Sequence, residues 1–154
     1  MSKILLEQGS EAWLQWRKGR LTGTDAPMLM GVSPYVTPYQ GWQRKLGLLE
    51  EQKVNPAMLR GHRDEPIARD LFISLKGINM EPCCVESVDY NFIVASLDGM
   101  SDCGKYIMEI KSNGDEYHQN LKKEVPEIPE FHIMQMQHQL LASGAKKCFY
   151  CSYN

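Results

Sequence analysis

At 154 residues, 43% of them hydrophobic and 23% charged, the chain has the size and apolar content of one domain, residues 1–154, around a single core. A formal net charge of −2 provides no global basic field, so any contact with nucleic acid must come from a local patch or from metal ions that neutralise phosphate. No apolar run reaches the ~18 residues a membrane helix needs, and the start MSKILLEQGSEAW is too polar for a secretory signal. Five cysteines without a disulfide-like spacing point to a reducing cytoplasm. Cys148-x-x-Cys151 lacks a second pair and lies in a strand-like segment, so it reads as structural and not as half of a zinc or redox site.

Residues 8–20 open with a helix capped by Ser10, with Trp13 and Trp16 on one face. Thr24 is then placed to cap a short helix through about Met30. That helix end, the hydroxyls of Thr22 and Thr24, and Arg17, Lys18 and Arg20 just upstream can receive an anion; equally, they can be a capped helix beside a solvated basic end. Thr37-Pro38 starts a helix to about Leu46, stopped by Gly47, and residues 48–54 read as a linker. Asn55-Pro56 begins a long helix ending at Lys76 with Gly77 as its stop. Met58, Gly61, Glu65, Ala68, Phe72 and Leu75 form a stripe along it, which carries Glu65 toward the core. A buried carboxylate needs a cation or donors. Arg69, one turn on, is the plain partner, and a metal ion the sharper one.

Residues 80–97 alternate and divide into strands at about Met80–Val88 and Phe92–Ser96, turning at Tyr90-Asn91. With Tyr106–Lys111 they predict an antiparallel meander that brings Asp98 and Glu109 to one edge, Asp98-Gly99 opening the loop between the second and third strands. On the third strand Glu109 and Lys111 share a face with Ile107, while Met108 and Ile110 point the other way. Two carboxylates and an ammonium near one point suit a hard divalent cation, with the lysine orienting a nucleophilic water or offsetting charge on a phosphate. Taken alone, the same residues also read as surface charges flanking a hairpin.

Asn113-Gly114 ends that strand, a helix follows from about Glu116 to Lys123, and residues 126–129 form a loop. The last helix, about Pro129–Ser143, puts Gln137 on a packed face with Ile133, Leu140 and Leu141, and Gln135 on a neighbouring face with Phe131 and His138. A buried amide at Gln137 needs partners, which a bound water, a scissile phosphate or the backbone can supply. Gly144 ends the helix and Lys147–Tyr153 returns as a strand into the same sheet. The elements predict an α/β (α+β) domain, a central mixed sheet flanked by helices.

Trp-x3-Arg, Thr-x-Thr-Asp opening a helix, G-x3-E-x3-R, Asp-Gly, Glu-Ile-Lys and H-x2-Q-x-Q-x-Q-L occur in that order from about Gln8 to Asn154. This series resembles the YqaJ-type viral recombinase nucleases, relatives of the phage lambda exonuclease within the PD-(D/E)-x-K superfamily, whose core is restriction-endonuclease-like. The resemblance implies that Asp98 and Glu109 are metal-binding acids, that the Ile110 carbonyl is a backbone ligand, and that Glu65 helps to hold a second ion. It implies that Lys111 positions and activates the attacking water and that Gln137 aligns it. Arg20 and Thr24 match residues that hold a 5′-terminal phosphate, with Trp16 and Arg17 in the same binding region.

The activity so implied is Mg²⁺-dependent digestion of double-stranded DNA from the 5′ end, with two ions and with Mn²⁺ able to substitute. A trimeric ring, a single-strand-annealing partner and a phage or prophage origin in a bacterial cytoplasm come with it. An endonuclease of the same fold and a non-cleaving DNA-end-binding module are the alternatives. Leu97 stands where the superfamily's namesake proline is expected, the Gln-x3-Tyr motif of RecB-like nucleases fails at Leu141, and the chain ends just after its last strand where relatives usually continue.

Overall fold

Strands β1 (Ser2–Ile4), β2 (Met80–Glu86), β3 (Val94–Ser101), β4 (Tyr106–Ser112) and β5 (Lys147–Tyr153) lie in that order across one sheet. β1 to β4 pair antiparallel and β5 joins β4 in parallel, which makes the sheet mixed, as the sequence predicts. This computed structural model describes residues 1–49, 55–123 and 127–154. Residues 50–54, most of the expected linker, and 124–126, which include the first residue of the expected loop, lie outside them.

Six helices surround the sheet among the described residues: α1 (Glu11–Arg17), α2 (Ala26–Leu29), α3 (Pro38–Lys45), α4 (Pro56–Lys76), α5 (Asp115–Asn120) and α6 (Glu130–Ser143). Ser10 caps α1 by accepting from the Trp13 N–H, and Thr37 and Gln40 form a reciprocal capping box on α3. Asn55 caps α4, while Gly77 and Gly144 adopt left-handed backbone (φ 64° and 65°) to end α4 and α6. Thr24 does not cap α2. Asp25 occupies that position without a side-chain cap, and its carboxylate turns back to accept from the Thr22 N–H and hydroxyl.

Alternation along the strands sends side chains to two cores. On one face Ala142 of α6 packs with Val85, Ala95, Leu97, Met100 and Ile107. On the other, Ala68 and Phe72 of α4 pack with Met80, Met108 and Ile110. The result is a helix–sheet–helix sandwich in which α4 and α6 face each other across β3 and β4. Cys148 belongs to the α6 side and Cys151 to the α4 side, so the two thiols point to opposite faces and cannot share a ligand. Burial pushes them up to about 12 and about 11, where thiols are inert. No described helix is long and apolar enough to cross a membrane.

The expected turn at Asp98-Gly99 is absent. β3 continues through both residues to Ser101, and the chain turns only at residues 102–105. Gly99 serves space, not bending: a Cβ there would lie 2.8 Å from Met108 Sδ and 3.0 Å from Met80 Cβ. The stripe on α4 also shifts. Ala68 and Phe72 are buried as expected, but Met58 and Leu75 at its ends are exposed, and Asp64 and Arg69 are buried beside them.

Candidate active site

The site begins with a fault in the sheet. Glu81 pairs with Met100 and Cys83 with Leu97, so two steps along β2 match three along β3, which carries one extra residue at Asp98–Gly99. Such a bulge bends a strand and re-aims its side chains. On the other side, β3 and β4 pair only at Gly99–Met108 and Met100–Ile107. Beyond that point the Asp98 carboxylate accepts the Ile110 N–H at 2.7 Å, taking a place that a backbone carbonyl holds in a continuous ladder. Asp98 is thereby fixed against β4 beside Glu109.

Glu109 is 1% exposed, so its charge depends on partners. Its Oε1 accepts from Gln135 Nε2 at 2.7 Å and pairs with Lys111 Nζ at 2.5 Å, and its Oε2 accepts from Gln139 Nε2 at 2.5 Å. Lys111 in turn donates to Gln135 Oε1 at 3.2 Å. Burial works against the Lys111 ammonium, but Glu109, Asp98 and Tyr150 outweigh it and hold its pKa above the ordinary lysine value. Burial, reinforced by Glu109 and Glu65, raises the Asp98 pKa well above the carboxylate range. A site that concentrates acids in this way is short of positive charge.

Gln137 is exposed and turns away from this cluster. Of the apolar residues on its expected face, Leu140 packs on the core but Leu141 is 55% exposed. The face that packs carries Gln135, Met136, Gln139, Ala142 and Ser143 instead, because the buried Glu109 carboxylate needs donors there. Gln135 and Gln139 lie four apart on one helix face, which was the readable signal.

Glu65 approaches from α4. It pairs with Arg69 at 3.0 Å, the plain partner, and it also acts on the Asp98 carboxyl. Burial raises its own pKa against the pull of Arg69, His62 and Lys111. Beside it opens a cavity of about 460 Å³ between Leu6, Gln8, Trp13, Pro66, Arg69 and Pro82. One turn of α4 also carries Asp64, which sequence reading missed. Its carboxylate accepts from Ser112 Oγ at 2.7 Å and Arg63 Nε at 2.8 Å, tying α4 to the end of β4 next to Lys111.

The segment after α1 is bridged to β3, with the Leu21 N–H donating to the Phe92 carbonyl and the Val94 N–H to the Leu21 carbonyl. Gly23 follows, its Cβ position 3.4 Å from Cγ of both Gln135 and Gln139. Thr22 and Thr24 thus stand next to the glutamines that hold Glu109. Arg17 Nη2 donates to Thr24 Oγ1 at 3.1 Å and lies within 3.5 Å of Thr22 Oγ1, with its guanidinium over the Trp13 ring. Arg20 goes elsewhere: it pairs with Glu86 at 2.6 Å and covers Trp16. Trp13-x3-Arg17 and Trp16-x3-Arg20 overlap in sequence; the structure joins Thr24 to the arginine of the first, while the arginine of the second is engaged by Glu86.

Among the described residues no three His, Cys, Asp or Glu side chains converge as a ready-made cation cage. The donor chemistry nevertheless suits Mg²⁺, which is held by one or two carboxylates plus water and substrate phosphate. Glu109 and Glu65 both oppose ionisation of the Asp98 carboxyl, and that repulsion is what a divalent cation relieves.

A family profile described as a YqaJ-like viral recombinase domain matches residues 12–146. The chain belongs to this family. The "Uncharacterized protein YqaJ" of Bacillus subtilis (strain 168) is 31% identical over 142 residues, 90% of this chain but 44% of that protein. The chain thus spans less than half of that relative's length. The alkaline exonuclease LHK-Exo of Laribacter hongkongensis matches with TM-score 0.74 and 27% identity over 94% of this chain and 74% of its own, and it has also been solved with dAMP. A phage related exonuclease of Haemophilus somnus 129PT, 14% identical with TM-score 0.56 over 87% of this chain and 68% of its own, shares the fold.

Proposed function

We propose that this chain is a divalent-metal-dependent deoxyribonuclease that degrades double-stranded DNA from 5′ ends. The observation that carries the reading is the meeting of Asp98, Glu109 and Lys111 where β3 and β4 part, with Glu65 on the opposite helix. Likeness to an alkaline exonuclease at 27% identity over 94% of the chain supports it.

Asp98, Glu109 and Glu65, with the Ile110 carbonyl, would hold the ion. Bound there, Mg²⁺ supplies Lewis-acid polarisation of the phosphodiester, and two ions would do so on both the attacking and leaving sides. Lys111, kept as an ammonium by its acidic neighbours, orients the nucleophilic water and stabilises charge developing on the phosphate. Gln135, which bonds both Glu109 and Lys111, keeps them in register and takes the role expected of Gln137. Arg17, Thr22 and Thr24 form the anion site for a terminal phosphate, and that site favours an exonuclease over an endonuclease, which has no terminus to grip. A homotrimer and a single-strand-annealing partner belong to the same proposal on family resemblance.

The test is digestion of linear duplex carrying 5′-phosphate or 5′-hydroxyl ends, in Mg²⁺ or EDTA, by wild type and Lys111→Met. Mg²⁺-dependent loss of the phosphorylated strand from its 5′ end, absent in the variant, is expected. Equal cutting of closed circular DNA would refute the exonuclease reading, and full activity in EDTA would refute the metal.

A further inference from the structure

The bulge that aims Asp98 leaves the β2–β3 ladder interrupted between the Cys83–Leu97 and Glu81–Met100 pairs. A carbonyl has two lone pairs, so one at the edge of such a fault can also take a donor from outside the ladder. Gln8, half-buried in the segment just ahead of α1, donates its Nε2 to the Leu97 carbonyl at 3.0 Å and approaches the Cys83 carbonyl at 3.5 Å. Cys83 and Leu97 are the register pair at the edge of the bulge, so one amide spans both strands at the last pair before the register shifts.

Leu97 immediately precedes Asp98, and its side chain is locked into the α6-side core. Fixing the Leu97 carbonyl therefore fixes the peptide plane from which Asp98 leaves the strand. A slip of one residue to remove the bulge would exchange the faces of the residues beyond it and turn Asp98 away from β4. Gln8 touches no reacting group; it acts through the backbone.

We propose that Gln8 is a positioning residue that holds the β3 bulge and thereby sets the Asp98 carboxylate for cation binding. This rests on the metal-site reading above.

The test titrates Mn²⁺ calorimetrically into metal-free wild type, Gln8→Ala and Gln8→Met, the last matching the glutamine in length without its amide, with melting temperature in EDTA measured alongside. Both variants should bind Mn²⁺ about tenfold or more weakly than wild type, the lower end of what loss of an outer partner of a metal ligand costs. If Gln8→Ala fails to fold, Gln8→Met carries the comparison. Unchanged Mn²⁺ affinity in a folded variant, even with a lower melting temperature in EDTA, would reduce Gln8 to a structural bond and overturn the proposal alone. A wild type that binds no Mn²⁺ would overturn the metal-site reading and this proposal with it.

Discussion

Replacing Gln139 by leucine separates what holds the fold from what prepares the site. Gln139 is 1% exposed and gives its amide hydrogen to Glu109 Oε2, while its own Oε1 has no partner among the described residues. Losing a hydrogen bond to a charged acceptor costs about 1.5–3 kcal/mol, whereas removing a buried unpartnered oxygen gains about 1–3 kcal/mol. The two effects oppose each other at similar size, and leucine keeps most of the side-chain volume. Gln139→Leu should therefore unfold in urea within about 1 kcal/mol of wild type in EDTA. Glu109, however, loses one of the donors that define its orientation, and turnover should fall by about 10–100-fold. Gln139→Ala, which empties the same space, should be the less stable of the two. The measurements are urea unfolding in EDTA and single-turnover cleavage of a labelled duplex. A Gln139→Leu protein with wild-type turnover would refute the claim that this amide orients Glu109. A loss beyond about 3 kcal/mol would refute the cancellation.

The raised pKa of Asp98 gives a signed pH effect. A carboxyl whose folded pKa lies above its unfolded value favours the folded state at low pH and penalises it as pH rises through the folded value. In EDTA, Asp98→Asn should thus melt higher than wild type at pH 8, the gap closing as pH falls toward 5 and shrinking in excess Mg²⁺. Comparing the two proteins cancels the opposite contribution of His132, held down to about 4 by burial and Lys111, and an unchanged gap would show that Asp98 is not under strain. Arg17→Ala should abolish the preference for 5′-phosphate over 5′-hydroxyl ends, read as the ratio of digestion rates. Arg20→Ala should leave that ratio alone and cost at most about 1 kcal/mol of stability, since its bond to Glu86 is partly exposed; a reversed outcome would return the anion site to Arg20.

Much of this was legible along the chain. Helix α4 runs between the Asn55 cap and Gly77 as read, and Ser10, Thr37 and Gly144 mark their helix ends, because capping is a transaction among residues a few positions apart. The Glu109/Lys111 face and the mixed sheet were likewise readable from alternation. What failed shares one cause. Asp98-Gly99 resembles a turn by composition, yet Gly99 is there because Met80 and Met108 close on it from neighbouring strands. Gln137 looked inward by the positions of leucines, yet the helix rotates to offer Gln135 and Gln139 to a carboxylate on another element. Arg17 and Arg20 occupy equivalent sequence motifs, and only the placement of Thr24 and Glu86 tells them apart.

By itself the sequence determined most of the elements and their order, though not β1, as well as the family and the acids and lysine proposed for the site, since these depend on local periodicity and on residue type. Only the tertiary structure decided which amide, which arginine and which backbone fault serve those acids. That choice is made by buried charge, whose demand for partners is met across the sheet by residues distant in the chain.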